Sequence, residues 1–152
     1  MKLVDAIEID AAVTDVWPLV ADPARHPQWN EKARAVMRDR SGPVSLGEQF
    51  EMTYAMSGRE NISRVEVTDL QPSERAEFSH TIDDGRRVQR VVERYELQSQ
   101  RDGTQLTQTV DMSGAGIPWL LKPLVWLITR IGKPQGETVL ERLKRIAELD
   151  RR

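Results

Sequence analysis

The sequence predicts an α+β fold, an antiparallel sheet with its helices set apart from it. Three observations carry this. Apolar and polar residues alternate through most of residues 34–113, the period of strands with one buried face. Two Asp-Gly pairs, Asp84-Gly85 and Asp102-Gly103, punctuate that stretch. Such pairs favour tight hairpins, because Gly accepts positive φ. Beyond Gly116 the apolar spacing becomes that of a helix. Consecutive hairpins with segregated helices make α+β rather than alternating α/β. The 152 residues suit a single domain, 1–152, long enough to bury a sizeable core.

Each element has its own signal. Leu3 to Ile9 alternates and reads as a strand. Val13, Val16, Trp17 and Val20 have helical spacing, with Thr14 or Asp15 suited to the helix start. Pro18 places itself in the first turn of that helix, where its missing amide does no harm. Asp22-Pro23 ends it and starts a second short helix, closed by Pro27. Phe50, Met52, Tyr54 and Met56 then form one face of a strand. Ile62, Val65 and Val67 follow with a phase slip between 62 and 65 that predicts a bulge. Phe78, His80 and Ile82 share a face, as do Val91, Glu93, Tyr95 and Leu97, and then Leu106, Val110 and Met112. The last stripe is Leu121, Leu124/Val125, Ile128, Ile131, Val139, Leu143 and Ile146. It predicts a long terminal helix beginning near Pro118–Pro123 and kinked or broken near Pro134. Arg142, Lys144, Arg145, Arg151 and Arg152 load its end with positive charge.

Composition removes several functions. The formal net charge is −2, without the basic excess of a nucleic-acid binder. There is no cysteine, so disulfides, thiolate metal sites and cysteine nucleophiles are excluded. His26 and His80 are the only histidines, too few for a three-histidine metal site. No metal and no cofactor is implied. No Gly-x-Ser-x-Gly, His-Glu-x-x-His or phosphate loop occurs, and Gly114-Ala115-Gly116 reads as a swing point between strand and helix. The N-terminus turns acidic too early for a signal peptide, and Ile117–Ile131 is too short to span a membrane. The expectation is a soluble, cytoplasmic protein. Its Arg-over-Lys bias fits a bacterial source.

Several short motifs then line up in order. They are Ile9-Asp10-Ala11-Ala12 with Val16-Trp17, Asp22-Pro23 with His26-Pro27-Gln28-Trp29, and Leu46-Gly47-Glu48-Gln49-Phe50. Val67-x-x-Leu70-x-Pro72 follows, then Tyr95-x-Leu97 with Gly103-Thr104-x-Leu106-Thr107, and Leu143-Lys144 with Glu148. This series resembles the START-like polyketide cyclase/dehydrase and lipid transport (SRPBCC) superfamily over nearly the whole chain. Ala12 departs from it, standing where Pro is common. The resemblance implies a helix-grip fold: a curved seven-stranded antiparallel sheet around a long C-terminal helix, two short helices after the first strand, and a cavity between. Relatives include lipid and sterol carriers, aromatic polyketide cyclases, quinone-binding proteins and hormone receptors. The superfamily hosts many functions, so the motifs specify fold more than activity.

The candidate site follows from the inward faces. The expected ligand-binding set is Trp29, Tyr54, Met56, His80, Glu93, Tyr95, Met112, Leu121, Val125 and Ile128. Met re-packs around varied ligands. His80 and Glu93 are the catalytic candidates. A histidine in the pocket serves as base or donor, and a carboxylate in an apolar cavity rises in pKa and serves as an acid. Against this, His80 also reads as a satisfied strand histidine, Glu93 as turned to water by a bulge, and Trp29 as a plug beneath the second helix. His26, beside Pro27, reads as solvated. Arg90 and Arg94 belong on the outer face with partners such as Glu96.

Ten of the fifteen residues in Ile117–Ile131 are apolar, with Trp119, Leu120, Trp126 and Leu127 off the core stripe. One sheet cannot cover a helix that is apolar all round. Extra burial, a lid, a homodimer contact through Trp119–Trp126 and a membrane-surface contact are the candidates. The expected ligand is an apolar small molecule such as a lipid, quinone or polyketide. Binding is favoured over a cyclase, aromatase or dehydratase activity run by His80, Glu93 and a tyrosine.

Overall fold

Seven antiparallel strands make one sheet in the order β1-β7-β6-β5-β4-β3-β2. They are β1 (Lys2–Ile9), β2 (Ala33–Met37), β3 (Gln49–Met56), β4 (Arg59–Gln71), β5 (Arg75–Asp83), β6 (Val88–Gln100) and β7 (Gly103–Gly114). Strands β2 to β7 form a continuous meander, and β1 returns to pair with β7. The computed structural model describes residues 1–56, 58–116, 119–121, 123, 124, 127 and 137–151. Between β1 and β2 lie α1 (Val13–Ala21), a 3-10 turn (Pro23–Arg25) and α2 (His26–Trp29). A second 3-10 turn spans Trp119–Leu121, and the C-terminal helix α3 runs Val139–Asp150.

Both Asp-Gly hairpins are present. At the β5–β6 turn Gly85 has φ of 80°, and the Asp84 carboxylate accepts from the amides of Arg86 and Arg87. The Arg101-Asp102 loop joins β6 to β7. The slip expected between residues 62 and 65 does not occur. β3 and β4 pair residue for residue from Gln49↔Glu66 to Met56↔Arg59. Ile62 therefore faces outward and Ser63 inward, where it is fully buried. The bulge sits later, between Val67 and Asp69 against β5.

The helical connection also departs from expectation. Pro18 is the sixth residue of α1, not in its first turn. Pro27 opens α2 rather than closing it, in the N-terminal position where a proline is tolerated. Helix α3 is held at its start by a capping box: Thr138 accepts from the Glu141 amide, and Glu141 accepts from the Thr138 amide. Of the positive charges expected at the helix terminus, Arg142 and Arg145 pair with Glu137 at its start, while Lys144 pairs with Glu148 and Arg151, at the C-cap, with Asp10. The break expected near Pro134 lies outside the described residues.

The core occupies one end of the sheet. Ile9, Val16, Leu19, Val20, Trp29, Phe78, Leu106, Leu140 and Leu143 are among its fully buried members. Helix α3 contacts β1, α1 and α2, so the three helices close that end together.

Candidate functional site

The site is built on the turn from α1 into α2. A helix leaves its last four carbonyls without intrahelical partners, and here each one is met. Asp22 N–H donates to Pro18 O and Val44 N–H to Ala21 O. The Trp29 indole donates to Leu19 O at 2.9 Å, and the His26 Nε2 to Val20 O at 2.7 Å. Both aromatic side chains are thereby drawn inward. His26 is buried, against the expectation of a solvated ring, because it closes a helix end from inside. It packs on Trp29 with ring centroids 4.9 Å apart and edge-on against Phe78 at 5.4 Å. Tyr95 meets Trp29 at 5.9 Å and Phe78 at 6.2 Å. These four rings form a floor.

Above the floor, toward the other end of the sheet, lies a cavity of about 270 Å³. Leu3, Ile82, Val91, Val110, Met112 and Val139 give it apolar walls. Among the described residues, Asn30, Lys32, Tyr54, Ser63, His80, Glu93 and Gln108 also line it. The strand period explains the split within β3: Phe50 and Met52 lie in the core, while Tyr54 on the same face reaches the cavity.

The polar groups are joined. Gln108 Nε2 donates to the Tyr95 hydroxyl at 3.1 Å, and that hydroxyl donates to Glu93 Oε2 at 2.9 Å. His80 Nε2 stands 3.8 Å from the same oxygen, beyond direct hydrogen-bond distance. His80 Nδ1 lies 3.3 Å from Ser63 Oγ. A carboxylate on the Nε2 side favours a proton there, leaving Nδ1 to accept from Ser63. Asn30 Nδ2 donates to the Tyr54 hydroxyl at 3.2 Å, and the Tyr54 ring lies 6.0 Å from His80. Burial, with the Glu93 charge nearby, holds both tyrosine phenols well above their ordinary value. Both therefore stay protonated donors at neutral pH. His26 moves the other way: burial lowers its pKa below the ordinary 6.5, so its ring is neutral.

The structure brings Tyr54, His80, Glu93 and Met112 together in the cavity lining. Trp29 and Tyr95 lie beneath, fully buried in the floor. Leu121 is 47% exposed and is not in the lining. Met56 is placed in β3 by its backbone. Val125 and Ile128 lie outside the described residues. Ser63, Gln108 and Asn30 were not expected. Ser63 was legible had the period been counted back from Val67, but the apolar Ile62 masked it. Gln108 keeps step with Leu106 and Val110. Nothing in the sequence marked Asn30, which reaches Tyr54 from a loop.

A family model described as polyketide cyclase/dehydrase and lipid transport matches residues 1–148. The chain belongs to this family. No curated protein sequence matches it. Among solved structures, a Chromobacterium violaceum protein is similar at 18% identity and a TM-score of 0.70, over 97% of this chain and 96% of that one. Major latex-like protein 151 from Panax ginseng is similar at 12% identity and a TM-score of 0.67, over 97% of each chain. DynU16, from the dynemicin biosynthetic locus, is similar at 21% identity and a TM-score of 0.64, over 98% of this chain and 48% of its own. At such identities the likeness establishes the fold, which is the helix-grip fold of the polyketide cyclase/dehydrase and lipid transport family. No helix among the described residues is long and apolar enough to cross a membrane.

Proposed function

We propose that this member of the family binds a small, largely apolar molecule in the cavity above the aromatic floor. The observation that carries the reading is the lining itself: six apolar side chains joined by seven polar ones around one cavity among the described residues, a mixture of apolar wall and convergent polar groups that suits a small-molecule site. The volume of about 270 Å³ suits a ligand of one or two rings better than a long acyl chain, since drug-sized sites run to about 300–1,000 Å³. Membership of a family that includes lipid transport supports a carrier or receptor role. Native mass spectrometry of gently purified protein, followed by a thermal-shift screen of apolar aromatics, tests this. A bound ligand raises the melting temperature by mass action. Failure of every compound to co-purify or to shift the transition would count heavily against it.

One observation favours a second reading. His80 and Glu93 face each other at 3.8 Å within the cavity, with the Tyr54 hydroxyl nearby. An acid, a base and a phenol around one pocket suit a cyclase- or dehydratase-type proton transfer. In that case His80→Gln and Glu93→Gln each lower turnover of a poly-β-keto aromatic precursor by about 10²–10⁴-fold, while its binding changes little. Unchanged turnover in both variants would leave binding alone.

A further inference from the structure

The hydrogen-bond partners already committed inside the cavity restrict what a ligand can offer. This step rests on the binding reading above. Tyr95 has its proton on Glu93 and accepts from Gln108, so it is spent. The Tyr54 oxygen accepts from Asn30, and its proton is directed toward Glu93. His80 presents Nε2–H, the tautomer that the facing Glu93 carboxylate favours. Glu93 can only accept. His80 Nε2 and Glu93 Oε2, 3.8 Å apart, cannot satisfy each other, yet an oxygen about 2.8 Å from both closes a triangle with them. We propose that the cavity selects a ring compound bearing a hydroxyl, a phenol or enol, whose oxygen accepts from His80 while its proton goes to Glu93.

The alternatives each leave a mismatch. A ketone or quinone accepts from His80 but turns its remaining lone pairs toward the Glu93 carboxylate. An ether fails for the same reason. Glu93 keeps its bond from Tyr95 in every case, but a lone pair set against its charge is repelled, and a site built around a hydroxyl rejects analogues lacking it. Lys32, exposed, is the cation in the described lining, so an anionic ligand would be drawn to Lys32 and away from Glu93.

The test compares three probes of one shape, 2-naphthol, 2-methoxynaphthalene and 1,4-naphthoquinone, by isothermal titration against wild type, Glu93→Gln and Val110→Trp. Wild type is expected to bind 2-naphthol about tenfold or more tightly than either analogue. Glu93→Gln, whose amide can donate, should weaken naphthol, strengthen the quinone and bring the affinities within about threefold of each other. Val110→Trp should abolish all binding, locating the probes in the cavity. Equal affinities for the three probes in wild type overturn the hydroxyl selection while leaving the cavity a binding site. So does an unchanged preference in a folded Glu93→Gln. If none of the three binds wild type, the binding reading falls and takes this one with it.

Discussion

His26 shows how a single side chain ties the helical connection to the sheet. Its ring donates to the Val20 carbonyl and packs against Trp29 and Phe78, so protonating it would place a charge among aromatic rings. The folded chain resists that proton, while the unfolded chain accepts it below about pH 6.5. Below that point the unfolded state binds more protons, and stability therefore falls as pH falls. Ring resonances of His26 followed by NMR should show it protonating below the ordinary 6.5, and the urea midpoint should fall as pH drops below 6.5. Full protonation of His26 at pH 6 without loss of stability would contradict this. Trp29 does similar work for Leu19 O. Trp29→Phe should cost about 1–3 kcal/mol in chemical denaturation, from an orphaned carbonyl and lost volume. A loss under about 0.5 kcal/mol would show that water or a neighbour takes over the bond.

At the scale of elements, turns and closures limit stability. Gly103 opens β7 just before Thr104, the partner of Ile9, and an added Cβ there would meet the Ile9 carbonyl oxygen. Gly103→Ala should weaken the β1–β7 pairing and destabilise by about 1–3 kcal/mol, read from the urea midpoint. Ser73 is the reverse case. It holds a φ of 64° in a turn closed by Glu74 N–H on Gln71 O, a backbone shape that glycine adopts freely. Ser73→Gly should stabilise by about 1 kcal/mol, seen as a higher melting temperature. Arg38 clasps the helical connection to the β2–β3 loop. Its guanidinium pairs with Glu48 at 2.7 Å and Asp22 at 3.4 Å, donates to Gly42 O, and lies over the Phe50 ring. Arg38→Met takes its cation from the half-buried Glu48 and Asp22, which keep only Arg40, Ser45 N–H and Ala24 N–H, so a loss of about 1–3 kcal/mol is expected; a neutral result would mean the clasp adds no stability.

At the scale of the molecule, function depends on the division of one sheet face into floor and cavity. Val110→Trp should fill the cavity and remove ligand binding while the chain still folds cooperatively, because its side chain points into space rather than into the packed core. Loss of binding together with loss of folding would place Val110 in the core instead. The strand series, both hairpins and the order of helices were legible in the sequence, because a period of two and an Asp-Gly turn are properties of adjacent residues. The inward set His80, Glu93, Tyr54 and Met112 followed from the same period. Which of them would be core and which cavity was not, since Phe50 and Tyr54 share a face and differ only in what lies above them. The segment Ile117–Ile131 gave a composition without a placement, and most of it lies outside the described residues. The Ser63–His80–Glu93–Tyr95–Gln108 chain crosses four strands, and no local pattern encodes a contact between residues 63 and 108. Sequence by itself determined the sheet, its turns and its inward faces except in β4, where the apolar Ile62 hid the buried Ser63, because these depend on neighbours in the chain. Only the tertiary structure decided the cavity, its aromatic floor and its polar seam, because these depend on where α1, α2 and α3 come to rest on the sheet.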